Sequence, residues 1–245
     1  LRLMAITPPG RQAPRVSIAP QQQSNYEAVV QYYFPGQEHV ILISDPVLLT
    51  CSSILDSRLH AQLLQEWIQE AVVSEPSEVK LSLLYQASRD GFRAADFHAK
   101  CDSQSATVTL VKTKEGFIFG GYSDQSWDGV HKCKTSSHSF LFSIVNPSGL
   151  APTKLPQTGL ENNDAAVYCH PEYGPIFGGG YDLCICNQSN TRNGAASCLG
   201  RYYTLPPGQD SLTFLAGFKH FLVADIEVFA VSTPCSDTHS GCIVM

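Results

Sequence analysis

The chain has 245 residues, 43% hydrophobic and 16% charged, which fits one large folded domain, or one domain with an extension, and excludes a disordered chain. Sixteen Lys and Arg against 22 Asp and Glu leave a net charge of -6, which argues against a general nucleic-acid binder. The longest apolar runs, such as Val40–Ile43 and Phe221–Val223, fall far short of the roughly 20 residues that cross a bilayer. Nine cysteines, an odd number at low density, suit a reducing, intracellular setting better than a disulfide framework.

Residues 1–25 carry Pro8, Pro9, Pro14 and Pro20 ahead of Gln21-Gln22-Gln23 and read as an extended arm or linker. An N-terminal extension follows over 26–80. In it, Tyr26–Phe34 and His39–Ser44 are strand-like runs on either side of a Pro35-Gly36 turn signal. A helix is expected over about 57–73. Asp56 is placed to cap it, Leu59, Leu63, Trp67 and Ala71 recur every four residues, Leu64 and Ile68 widen the stripe, and Pro76 ends it.

From Leu81 the pattern is mostly β. Ala106–Lys112, Gly116–Tyr122, Ser139–Val145, Ala165–Cys169, Tyr181–Cys186 and Phe221–Val231 are short runs bounded by Gly, Pro, Asn and Ser, as in a sandwich or barrel. One helical segment interrupts them at Asp90–Cys101, with Asp90 as its cap. Alternation places Phe140 with Phe142, and Ile226 with Val228, on strand faces; with Phe119 these are the expected core.

Motifs with catalytic chemistry are weak. Gly120-Gly121 and Gly178-Gly179-Gly180 lack the Gly-Lys-Ser/Thr and the helix of a phosphate loop, so bulges or close packing explain them better. Cys184-Ile185-Cys186 puts two thiols on one strand face, yet with Cys169, His170 and Cys198 the zinc spacing is poor, and burial as small hydrophobes is the simpler reading. No Gly-x-Ser-x-Gly elbow occurs. Asp225-Ile226-Glu227 places two acids on one strand face, where solvation or a hydrogen bond to a turn accounts for them. A redox enzyme would need a reactive thiol such as Cys101 or Cys186, but Cys101 closes a helix, where the dipole disfavours a thiolate.

An ordered series of blocks runs through this region. It comprises Leu84-Tyr85-Gln86-Ala87-Ser88-Arg89-Asp90-Gly91-Phe92, Phe97-His98-Ala99-Lys100-Cys101-Asp102, Phe119-Gly120-Gly121-Tyr122 and Ser126-Trp127. Thr107–Lys112, Phe140-Leu141-Phe142-Ser143, Tyr173-Gly174-Pro175-Ile176-Phe177-Gly178-Gly179-Gly180-Tyr181-Asp182-Leu183, Leu199-Gly200, Phe214-Leu215-Ala216-Gly217 and Ile226-Glu227-Val228-Phe229 complete it. Together the blocks resemble the TLDc domain of the oxidation-resistance family, over about 81–231. The resemblance implies a mainly β fold, a two-sheet antiparallel sandwich with a few flanking helices. It marks Ser88, Arg89, Asp90, Gly91, Gly120, Gly121, Gly178, Gly179, Gly180, Asp182 and Glu227 as family-motif positions, and it implies no catalytic residue, cofactor or metal.

The function it implies is a non-enzymatic interaction module in protection from oxidative damage, with the vacuolar proton ATPase or a larger assembly as partner. A thiol-dependent redox enzyme is one rival. A structural component with residues 1–25 as an arm is the other. Finally, residues 232–245 form a polar tail ending in Cys242-Ile243-Val244-Met245, a Cys-aliphatic-aliphatic-X pattern whose Met favours a farnesyl group. The tail has no Lys or Arg, so Cys235 would supply the second lipid for stable anchoring. The expectation is a cytoplasmic protein with a peripheral population on a cytosol-facing membrane.

Overall fold

The computed structural model describes residues 28–34, 37–43, 52–72, 79–104, 106–159, 165–179 and 181–232. The arm at 1–25, the Pro35-Gly36 turn, Gly180 and the tail with Cys235 and Cys242 lie outside the described residues. The chain divides into two compact units, Leu1–Val47 and Leu48–Met245. In the first, β1 (Ala28–Phe34) pairs antiparallel with β2 (Gln37–Ile43), in register from Ala28↔Ile43 to Phe34↔Gln37.

The second unit begins its regular structure with α1 (Arg58–Val72). Its cap is Ser57, one residue beyond the expected Asp56. The Ser57 Oγ accepts from the His60 N–H at 3.5 Å and the Ser57 carbonyl from the Ala61 N–H at 3.1 Å. Then come β3 (Lys80–Gln86), α2 (Ala87–Asp90) and α3 (Ala94–Cys101). The strands β4 (Thr107–Thr113), β5 (Ile118–Ser123), β6 (Lys132–Lys134), β7 (Phe140–Val145) and β8 (Thr153–Pro156) follow. The last are β9 (Val167–Cys169), β10 (Tyr173–Phe177), β11 (Leu183–Cys186), β12 (Ala195–Ser197), β13 (His220–Phe221) and β14 (Val223–Ser232).

These strands form two six-stranded antiparallel sheets. The first runs β3-β14-β4-β5-β7-β8 and the second β13-β12-β11-β10-β9-β6. The fold is the two-sheet antiparallel β-sandwich that the sequence implies. Between the sheets lie Val111, Phe119, Leu141, Ile226 and Val228 from the first and Val167, Phe177, Leu183 and Ile185 from the second, with Phe97, Cys101 and Trp127 packed among them.

Phe140 and Phe142 are buried too, but in a different layer. They face away from the second sheet and join Val108, Leu110, Tyr122 and Phe229 beneath Leu64, Trp67 and Ile68 of α1. The Trp67 ring stands 6.5 Å from that of Phe142, and Lys154 Nζ pins the helix by bonding Glu70 at 2.8 Å and the Trp67 carbonyl at 3.3 Å. The first sheet is therefore covered on both faces. That is why β7, Phe140-Leu141-Phe142-Ser143-Ile144-Val145, reads as a nearly unbroken apolar run.

The helical segment expected at Asp90–Cys101 is broken in two. Gly91 sits at φ +111°, a conformation other residues rarely adopt, and closes α2 by donating its N–H to the Ala87 carbonyl at 2.9 Å. Asp96, not Asp90, serves the start of α3, accepting from the Arg93 N–H at 3.0 Å.

The seating of α1 is open to test. Leu64→Ala is expected to lower the unfolding free energy by about 2–5 kcal/mol, whereas Leu59→Ala, outside that layer, costs clearly less. Equal losses in urea denaturation would show that this stripe does not seat the helix.

Candidate functional site

The chemistry-bearing residues converge where β14 passes β3 and the segment before α1. A register irregularity follows Val223, after which Asp225 and Glu227 share one face and Ile226 and Val228 enter the inter-sheet core. Glu227 is fully buried. Its carboxylate accepts from Ser52 Oγ at 2.5 Å, the Ser53 N–H at 2.7 Å and Ser53 Oγ at 2.8 Å. Asp225 accepts from the Ser88 N–H at 2.9 Å, Ser88 Oγ at 2.7 Å and Gln86 Nε2 at 3.1 Å. The same Gln86 amide donates to Ser53 Oγ at 2.9 Å, joining the two acids in one network.

A buried carboxylate is costly unless hydrogen-bonded, and here neutral serine donors meet the demand. Ser52 is itself held, its Oγ accepting from the Ile54 and Leu55 N–H groups at 3.2 and 3.1 Å. Gln86, Ser52 and Ser53 are the members that sequence reasoning did not single out as site residues. A serine pair just ahead of a helix reads as turn or cap chemistry, and only the fold reveals its distant acid.

Each residue of Ser88-Arg89-Asp90-Gly91 has a role at this place. Ser88 holds Asp225. Arg89 chelates Asp90, with Nη2 2.7 Å from Oδ2 and Nε 2.9 Å from Oδ1, and Asp90 Oδ2 accepts from the Gln86 N–H at 2.9 Å. The Arg89 hydrogen bonds draw the Asp90 carboxyl down to about 2 from its ordinary 3.8. The Gly91 carbonyl accepts the buried Tyr85 hydroxyl at 2.7 Å, and a Cβ on Gly91 would run into the Asp96 carboxylate.

Gly120, Gly121, Gly178, Gly179 and Asp182 lie elsewhere and serve packing. A Cβ on Gly120 would meet the Thr109 carbonyl, and one on Gly121 would stand 2.6 Å from the Phe177 ring. Gly178, at φ +77°, leaves room for the buried Asp182, whose Oδ2 would be 2.5 Å from a Cβ there. Gly179 faces Ala165 at 2.8 Å on the same test. Asp182 accepts from the N–H groups of Arg201, Tyr202 and Tyr203 at 3.3, 3.2 and 3.1 Å; burial raises its carboxyl and these donors draw it back.

His98 lies apart from both acids. Its Nδ1 is 2.7 Å from Asp102 Oδ1, and its Nε2 is 3.1 and 3.0 Å from the carbonyls of His170 and Tyr173, so it ties α3 to the turn between β9 and β10.

Cys101, Cys169, Cys184 and Cys186 carry little nucleophilic character. Burial pushes the Cys101 thiol far above its ordinary value, Cys184 to about 12 and Cys169 to about 11, and raises half-buried Cys186 as well. Cys169, His170 and Cys198 are not assembled, and among the described residues no group of three or more His, Cys, Asp or Glu is arranged to hold a metal. Ser137, His138 and Asp124 do come together, but both partners approach the same ring nitrogen, Nδ1, at 3.1 and 3.5 Å, so the imidazole cannot pass a proton between them.

Two consequences are measurable. Removing the acceptor in Glu227→Ala strands the Ser53 N–H and is expected to cost about 2–4 kcal/mol, with a coupling of at least 0.5 kcal/mol to Ser53→Ala in a double-mutant cycle. Additive losses would mean that the serine–glutamate contact does not hold the segment. Because the folded Asp90 carboxyl lies below its unfolded value, its contribution is present above about pH 4 and is lost as pH falls through about 2. Asp90→Asn should therefore flatten the stability curve across that window; an unchanged curve would assign the acid loss to other groups.

The family model of the TLDc domain matches residues 48–232, a span that includes α1, Ser52 and Ser53 as well as both sheets. MTOR-associated protein MEAK7 of Danio rerio is 37% identical over 62 residues. That stretch is 25% of this chain and covers 14% of the relative's length. Among the described residues no helix is long and apolar enough to cross a membrane.

Proposed function

The chain belongs to the TLDc domain family, and on that premise we propose that it is a non-enzymatic interaction module that protects against oxidative damage through protein–protein contacts. The observation that carries this reading is where the reactive groups go. Asp225 and Glu227 are tied to serines within the fold, and the thiols of Cys101 and Cys184 are buried and hard to ionise. A thiolate enzyme needs the opposite: an exposed sulfur beside a cation or a helix N-terminus.

The partner class proposed is a subunit of the vacuolar proton ATPase or another large assembly. The zebrafish relative bears a name for association with MTOR, which supports a protein partner of some kind. Lipid attachment at Cys242, with Cys235 as a second acyl site, would add membrane contact. Cys242→Ser is then expected to shift the protein from the membrane to the soluble fraction.

The deciding experiment is peroxide challenge of cells making the full chain, or a variant with Cys101→Ala, Cys184→Ser and Cys186→Ser. Survival is expected to be the same with both. Loss of protection by a variant that keeps its wild-type circular dichroism would overturn the proposal in favour of a thiol-dependent enzyme.

A further inference from the structure

The outer face of the second sheet carries a tyrosine–histidine cluster that takes no part in the network at β14. Tyr168 lies between Val167 and Cys169, both in the inter-sheet core, so its ring points outward. By the same alternation Cys184, between Leu183 and Ile185, faces outward, as does its cross-strand partner Ile176. Cys184 and Ile176 are nonetheless 5% and 0% exposed, and they belong to neither buried layer. Tyr181 is beside them: its phenol is raised by burial and by its neighbours Cys184, Tyr168, Tyr173 and Cys133.

The rings are continuous. Centroid separations are 6.5 Å from Tyr181 to Tyr168, 5.8 Å from Tyr168 to His170, 4.8 Å from His170 to Tyr173 and 4.2 Å from His170 to His131. Tyr181 is 45% exposed, and Val130, next to His131, is 64% exposed.

Two members are held in left-handed backbone conformations, Tyr181 at φ +64° and His131 at φ +53°. A bulky residue there is strained, and glycine would make the same turn without cost. Packing beside Cys184 accounts for part of the tyrosine, but nearly half of it faces solvent.

The charged groups around the rings are the carboxylate of Glu172 and the lysines of β6. Lys132 and Lys134 flank Cys133 on β6, but they pair with Cys169 and Val167 on the core side, and Lys134 is bound to Asp128 at 2.7 Å. The Glu172 backbone N–H donates to His170 Nδ1 at 3.1 Å, a bond that requires that nitrogen to be unprotonated; burial and His131 lower the imidazole, while the Glu172 carboxylate is near enough to raise it. The surface thus offers tyrosine faces and a nearby carboxylate, with the lysines of β6 turned away. A planar guanidinium stacks on such rings and pairs with such a carboxylate.

We propose that this face of the second sheet binds an arginine side chain presented by a protein partner. The proposal rests on the interaction-module reading and deepens it by naming the chemistry that is recognised.

Fluorescence anisotropy with a labelled tri-arginine peptide tests it on the full chain. The variants are Tyr168→Leu, Tyr168→Phe and Tyr181→Gly, none of which alters the net charge, so non-specific attraction to an acidic protein stays constant. Tyr168→Leu and Tyr181→Gly are expected to weaken binding by roughly threefold to tenfold, the range of a cation–π contact, while Tyr168→Phe keeps it. Tyr181→Gly is also expected to raise the melting temperature as the backbone strain is relieved. Equal peptide binding by all four proteins overturns the proposal, as does a lower melting temperature for Tyr181→Gly, which would show the ring is kept for packing. Either result leaves the interaction-module reading standing, because that reading is judged separately by the peroxide challenge of the cysteine variant.

Discussion

A fully buried carboxylate holds the architecture together. Glu227 sits on β14, which lies between β3 and β4 in the first sheet, and its oxygens are occupied by two serines from a segment 174 and 175 residues earlier in the chain. That contact fixes where the chain enters the domain, and hence where α1 begins. Because Leu64, Trp67 and Ile68 of α1 share a buried layer with Phe140, Phe142 and Phe229, the helix's position bears on whether those rings are covered or left in water. The burial of several large side chains thus depends on a few short hydrogen bonds.

The same dependence explains which parts of the structure were legible in the sequence. The α1 stripe was readable because a helix with one buried side must repeat near 3.6 residues. Among the sandwich strands, β3, β10 and the short β6, β8 and β12 were not readable, but β4, β5, β7, β9, β11 and β14 were, as apolar stretches between turn residues. Which face they presented was not. In a sheet covered on one side Phe140 and Phe142 would mark the sandwich interior, but here Leu141 does so and the phenylalanines serve the helix layer. Periodicity cannot separate the two faces when both are apolar. The division of the helical segment at Gly91 was equally hidden, since Asp90 has the right chemistry for a cap and only the backbone geometry sends its carboxylate to Arg89 and Gln86 instead.

Of the candidate site, the acids were visible and their partners were not. Alternation along Asp225-Ile226-Glu227 correctly places both carboxylates on one face, but Asp225 bonds Ser88 in α2, not a turn. Nothing local to Ser52 and Ser53 points to Glu227, because the contact spans most of the domain. The family-motif positions Ser88–Gly91, Gly178 and Asp182 prove to be places where a backbone conformation and a carboxylate are fitted to each other. In both cases a glycine with positive φ stands against an aspartate: Gly91 against Asp96, and Gly178 against Asp182.

Left-handed backbone in this molecule therefore has more than one setting, since besides glycines it falls on Ser103, His131, Tyr181 and Gln188. At Gly91 and Gly178 the unusual φ falls on glycine, the residue that tolerates it, and it leaves room for Asp96, half-buried and bonded to Arg93, and for the buried Asp182. At Tyr181 and His131 an equally unusual φ falls on aromatic residues at the surface, and no buried acid is served by it. A fold that uses glycine where the interior demands a left-handed turn has the simpler solution available at Tyr181 as well. Keeping a tyrosine there makes sense if the ring itself is needed, and a ring needed at the surface is needed by something outside the chain.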